Sequence, residues 1–149
     1  MGRETIGRAM EILLVEDGLV DARLTIAALN KSGLKHRLTL VRDGAEAMQF
    51  LHHEGVFSRA PRPDLILLDL HLPKKDGREV LDEIKADLDL KPIPVVVLTA
   101  SDDPDDRVKS EMLQVDGYMT KPVDFDKFMD VIRQLRRFWL TDIVLPRLD

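Results

Sequence analysis

Short apolar runs alternate with stretches whose apolar positions recur every three to four residues, and the alternation continues along the chain. Glu11 to Val15 reads "EILLV", a strand pattern, followed by the turn Glu16-Asp17-Gly18 and then helical spacing from about Val20 to Ser32 that stops at Gly33. "HRLTLV" at 36 to 41 alternates polar and apolar, as an edge strand with one exposed face does, and after Asp43-Gly44 a short helix runs through Phe50 and Leu51. Pro61 and Pro63 break the chain before "DLILLDL", Gly77 opens a helix reaching about Asp89, and Pro92 and Pro94 precede "VVVLT". A helix is expected from Asp105 to Val115, a short fifth strand in "GYMTK", and a last helix from Asp124 to about Trp139. Along that last helix Phe125, Phe128, Met129, Ile132 and Leu135 fall at core spacing.

Five strands alternating with five helices predict an α/β fold, a single doubly wound five-stranded parallel sheet with helices on both faces, because parallel neighbours need right-handed crossovers. Strands one, three and four are nearly all apolar, as central parallel strands are. The expected layout is an N-terminal extension over 1–9, one domain over 10–138 and a tail over 139–149. The tail keeps Trp139, Leu140, Ile143, Val144 and Leu145, too apolar for a solvated end, and is expected to pack on the domain or form a homodimer contact.

Composition narrows the function classes. A net charge of -5 from 22 basic and 27 acidic residues provides no broad basic field for nucleic acid. The absence of cysteine excludes disulfides, Cys-ligated zinc and a thiol nucleophile, and fits a cytoplasmic protein. No apolar run approaches the ~20 residues of a membrane span.

In an open parallel sheet the functional crevice lies at the carboxyl ends of the strands. Strand one ends at Glu16-Asp17, strand three at Asp69, strand four at Thr99, and Lys121-Pro122 follows strand five. Singly, these are patterns of helix caps, solvated turns and surface charges. Together they bring three carboxylates, a hydroxyl and an ammonium to one edge. Two carboxylates about 5 Å apart repel by roughly 3 kcal/mol at an effective dielectric near 20, so the group calls for a cation. An all-oxygen set suits a hard divalent ion, with Mg²⁺ the usual occupant in phosphate chemistry. Asp17 and Asp69 are the expected direct ligands, with Glu16 a ligand or a water-bridged partner and the His71 carbonyl in reach of the same ion. The rings of His36, His52 and His53 are expected to be ordinary polar positions. The cluster Asp102-Asp103-Pro104-Asp105-Asp106 lacks the alternation, glycine and final glutamate of an EF-hand and reads as a helix start. A carboxylate held on a metal beside a lysine suits phosphoryl transfer.

Glu16-Asp17, "LLDLHLPKKDG" with Asp69, "LTAS" with Thr99, Tyr118 and Lys121-Pro122 together resemble the receiver domain of two-component response regulators, with 30 residues from Asp69 to Thr99 and 22 from Thr99 to Lys121. The resemblance covers about residues 10 to 138. It implies a flavodoxin-like (βα)5 fold with strand order 2-1-3-4-5. It also implies Mg²⁺ held by Asp17, Asp69 and the His71 carbonyl, and phosphorylation of Asp69 by a sensor histidine kinase. By the same resemblance Thr99 bonds the phosphoryl oxygens, Lys121 pairs with the phosphate and Ala100 leaves the approach open. Tyr118 switches inward with Thr99, while His71 and Ser101 occupy positions that tune the acyl phosphate lifetime. Glu16 departs from the family's more frequent aspartate. The implied output is a protein contact through the face of the 105–115 helix, the fifth strand and the last helix, with no enzymatic turnover beyond self-catalysed phosphorylation and dephosphorylation. The run into "FWLTDIVLP" is similar to small single-domain regulators paired with phytochrome-type histidine kinases. Two other readings stand beside this one: a haloacid-dehalogenase-like phosphatase, and an interaction module that is not phosphorylated.

Overall fold

The computed structural model describes residues 8–100 and 115–135. Its elements are β1 (Met10–Val15), α1 (Leu19–Lys31), β2 (His36–Val41), α2 (Gly44–Leu51), a 3-10 turn (Gly55–Phe57), β3 (Leu65–Asp69), α3 (Gly77–Ala86), β4 (Val95–Thr99), β5 (Gly117–Thr120) and α4 (Phe125–Gln134). The strands form one parallel sheet in the order β2-β1-β3-β4-β5, as expected. Of the expected helix over 105–115, all but Val115 lies outside the described residues, as do Ser101 and the tail from 136 onward.

Because side chains alternate across a strand, each strand feeds two cores. Ile12 and Leu14 of β1, Leu65 and Leu67 of β3 and Met119 of β5 pack against Ala28 and Leu29 of α1 and Phe128 and Ile132 of α4. On the other side Leu13, Val15, Ile66 and Leu68 meet Met48 and Phe50 of α2 and Leu81 and Ile84 of α3. Every residue of β3 and β4 is buried, which is why those runs carry no alternation in the sequence. β2, paired on one side only, is half exposed along most of its length.

Three of the helices start on an aspartate that accepts a backbone N–H: Asp43 from Glu46, Asp76 from Arg78 and Asp124 from Lys127. Three expected features change. α3 stops at Ala86 rather than Asp89, because the Asp87 carboxylate accepts the N–H groups of Asp89 and Leu90 and turns the chain so that Leu90 and Ile93 are buried. α4 runs to Gln134, where Leu135 leaves helical geometry with ψ 77, and the rest of the expected run to Trp139 lies outside the described residues. Phe125, expected in the core stripe, is exposed because it is the first residue of its helix.

Candidate functional site

The two-residue pleat decides which strand-end groups meet. Ile12 and Leu14, Leu65 and Leu67, and Met119 face α1 and α4, so counting on by twos carries Glu16, Asp69 and Lys121 to that same side. The register agrees: Val15 pairs with Leu68, which sets Glu16 level with Asp69. Thr99 falls on the opposite face, the face of Val97, and Val97 pairs with Tyr118; Thr99 and half-buried Tyr118 therefore share that side of the sheet.

Lys121 lies at the centre. Its Nζ is 2.7 Å from Glu16 Oε1, 2.9 Å from Asp69 Oδ2 and 3.3 Å from Asp21 Oδ2. Glu16 and Asp69 are buried, as is most of the Lys121 side chain. Burial pushes the Glu16 carboxyl up to about 7, against the pull of Lys121 and reinforced by the charge of Asp69. Burial alone would push the Lys121 ammonium down, but its close pairing with Glu16 and Asp69 outweighs it and holds the group above the ordinary lysine range.

Carboxylate oxygens of Glu16, Asp17 and Asp69 lie within 4.8 Å of one another. Three carboxylates against one ammonium leave net negative charge at the site, two of the three being buried. The donor set is all oxygen, so the residues fit a hard divalent cation. Asp17 is the partly exposed member, and its backbone carbonyl accepts from Arg42 Nη2 at 2.7 Å. The second Asp69 oxygen, Oδ1, accepts the His71 N–H at 2.9 Å, while the His71 side chain is exposed. Buried Thr99 joins the site through its backbone, its carbonyl accepting the Lys121 N–H at 2.7 Å. Ala100 is exposed at the end of β4. The Lys121-Pro122 peptide is cis. His36 Nδ1 sits 2.7 Å from the Leu34 carbonyl, and neither it, His52 nor His53 joins the acidic group.

The loop between β3 and α3 is fixed by two close approaches. A Cβ on Gly77 would lie 2.3 Å from the Asp69 carbonyl oxygen, and one on Gly44 would lie 2.1 Å from that of Lys75. Asp43, which caps α2, also pairs with Lys74 at 3.5 Å, and Lys74 takes a left-handed φ of 63. The first turn of α2 thus grips the loop that carries His71.

Glu16, Asp17, Asp69 and Lys121, singled out at the strand ends, lie together in the structure, whereas Asp21 and Gly44 were not singled out from the sequence. Asp21 becomes readable only once the structure shows that α1, whose first turn carries it, packs on the Glu16 side of the sheet. Gly44 has no signal beyond a glycine at a helix start.

Comparison with known proteins matches residues 12–133 to the family model described as the response regulator receiver domain. The response regulator Rcp1 of Synechocystis sp. is 50% identical over 135 residues, covering 91% of this chain and 92% of that protein. The crystal structure of the Mn²⁺-bound form of Rcp1 is similar with a TM-score of 0.73 and 48% identity over 93% of this chain and 99% of that one. The bacteriophytochrome response regulator RtBRR is similar with a TM-score of 0.79 and 45% identity, over 85% of this chain and 78% of that one.

Proposed function

The chain belongs to the response regulator receiver family, whose members are signalling proteins rather than classical enzymes, and on that premise we propose that it takes a phosphoryl group onto Asp69 from a sensor histidine kinase of the phytochrome type. An Asp69 carboxylate oxygen forms a bond to phosphorus as the bond from phosphorus to the donor's imidazole nitrogen breaks, and that nitrogen keeps the electron pair. The observation that carries this reading is the buried Lys121 ammonium seated between Glu16 and Asp69 within a three-carboxylate group.

Asp17, Asp69 and the His71 carbonyl, with Glu16 directly or through water, are the residues we assign to Mg²⁺; a relative, Rcp1, is known in a Mn²⁺-bound form. Held there, such an ion would supply positive charge to offset that of the transferred group. Thr99 then bonds the phosphoryl oxygens, Lys121 pairs with them, and Ala100 leaves room for the donor. Tyr118, on the same side of the sheet as Thr99, is the switch that relays phosphorylation to a protein partner, and His71 and Ser101 set the lifetime of the acyl phosphate. The proposed receiver spans 10–138, in a cytoplasmic setting, with the segment after it serving the domain surface or a homodimer. Among the described residues no helix is long and apolar enough to cross a membrane.

Incubation with acetyl phosphate and Mg²⁺ is expected to attach one acid-stable, base-labile phosphate that Asp69→Asn abolishes. Labelling that survives in Asp69→Asn would overturn the assignment, and multiple turnover on a phosphomonoester would point to dehalogenase-like phosphatase chemistry instead.

A further inference from the structure

Lys121 has three N–H donors and three carboxylate partners, and the partners are not equivalent. Glu16 and Asp69 are buried, so withdrawing the ammonium from either leaves a desolvated carboxylate poorly compensated. Asp21 makes the longest contact, 3.3 Å, and its side chain is 41% exposed, so water replaces the ammonium readily once that contact opens. Asp21 stands outside the three-carboxylate group that fits a metal. Nor does it cap its own helix: α1 begins at Leu19, after Gly18, with no side-chain cap, and the bond from Thr25 Oγ1 goes to the Asp21 backbone carbonyl.

Resting on the phosphoacceptor reading above, we infer that Asp21 is a positioning residue that restrains phosphorylation. It takes one of the two hydrogen bonds made by the Lys121 ammonium, the other going to Asp69 while Glu16 is held as an ion pair. An incoming phosphoryl oxygen must take that donor over, and Asp21 sets a further negative charge at the solvent side of the site. The exchange is graded by charge. An anionic donor approaching Asp69 meets Glu16, Asp17 and Asp21, and only Asp21 can be neutralised without touching a buried or metal-fitting group.

The test uses the full chain with acetyl phosphate. In that reaction an Asp69 oxygen bonds to phosphorus while the phosphorus–oxygen bond to the acetyl group breaks, and acetate leaves with the electron pair. At saturating Mg²⁺ and low ionic strength, Asp21→Asn is expected to label about three to ten times faster than the wild type, as removal of one charge a few ångströms away allows. The gap should shrink as salt approaches 1 M, where the screening length is about 3 Å. Asp21→Glu should retain the wild-type rate. A merely structural role for Asp21 would not produce salt dependence or rescue by glutamate. An Asp21→Asn rate equal to or below the wild type at low salt, or a gain that salt leaves untouched, overturns the inference. Wild-type protein that takes no label at all overturns the phosphoacceptor reading instead, so the two failures are distinguishable.

Discussion

Glu16 shows how one buried group couples protonation, metal and stability. Its carboxyl is raised first by desolvation, to about 7, from an ordinary value of 4.5. As pH rises between those two values the unfolded chain releases a proton that the folded protein still holds, so Glu16 makes the folded state progressively less favourable across that window and has a constant effect above it. Lys121 is raised too, so its contribution is fully present below the ordinary lysine value and is lost only in strong alkali, outside this window. In urea unfolding of metal-free protein from pH 5 to 8, the wild type should therefore lose about 1 to 3 kcal/mol relative to Glu16→Gln. Parallel stability curves for the two proteins would contradict the buried-carboxylate account. Glu16 and Asp69 were legible in the sequence because each follows or ends an apolar strand, where burial is plain, and Asp17 came with Glu16 as its neighbour in the chain. Asp21 was not, because its role depends on which side of the sheet α1 covers, and that follows only once the pleat is counted from an observed register.

Strand boundaries were legible to within a residue, since short β-branched runs flanked by Gly, Pro and Asp leave little choice. Helix ends were less so. The Asp87 turn that shortens α3 and the exposed start of α4 arise from side chains meeting backbone or solvent, which periodicity does not register. Contacts between elements were not legible, and Gly44 is the clearest case. By helix propensity alone, Gly44→Ala should stabilise α2 by up to about 1 kcal/mol. The Lys75 carbonyl oxygen, 2.1 Å from where the new Cβ would stand, reverses that sign. Gly44→Ala is expected to lose about 1 to 3 kcal/mol of stability and, by displacing the loop that carries His71, to weaken Mg²⁺ binding about tenfold. Ala45→Gly, at an exposed position of the same helix, should lose about 1 kcal/mol with Mg²⁺ affinity intact. Denaturation paired with Mg²⁺ titration separates the two; equal Mg²⁺ affinities in both variants would mean that the contact does not position the loop.

At the scale of the whole molecule, the pattern of apolar strands identified β1, β3 and β4 as central, but the strand order came from the family resemblance, because burial is symmetric between orders that keep the same strands inside. The observed order explains where the acids gather. The chain passes from β1 to β2 on one side and then to β3 on the other, and the ends of the strands at that reversal are where open parallel sheets place their sites. Glu16, Asp17 and Asp69 are therefore held by two strands at the middle of the sheet, and their mutual repulsion opposes the folding of the entire domain. An ion bound there should act on global stability. Mg²⁺ at ten times its dissociation constant is expected to add about 1.4 kcal/mol, or roughly 3 to 6 °C in Tm. Asp17→Asn relieves part of the repulsion without disturbing a buried side chain, so its metal-free form should melt at or above the wild-type temperature while its response to Mg²⁺ largely disappears. Calorimetry of both proteins with EDTA and with Mg²⁺ distinguishes this from binding elsewhere: an undiminished Mg²⁺ response in Asp17→Asn would place the stabilising ion outside the three-carboxylate group.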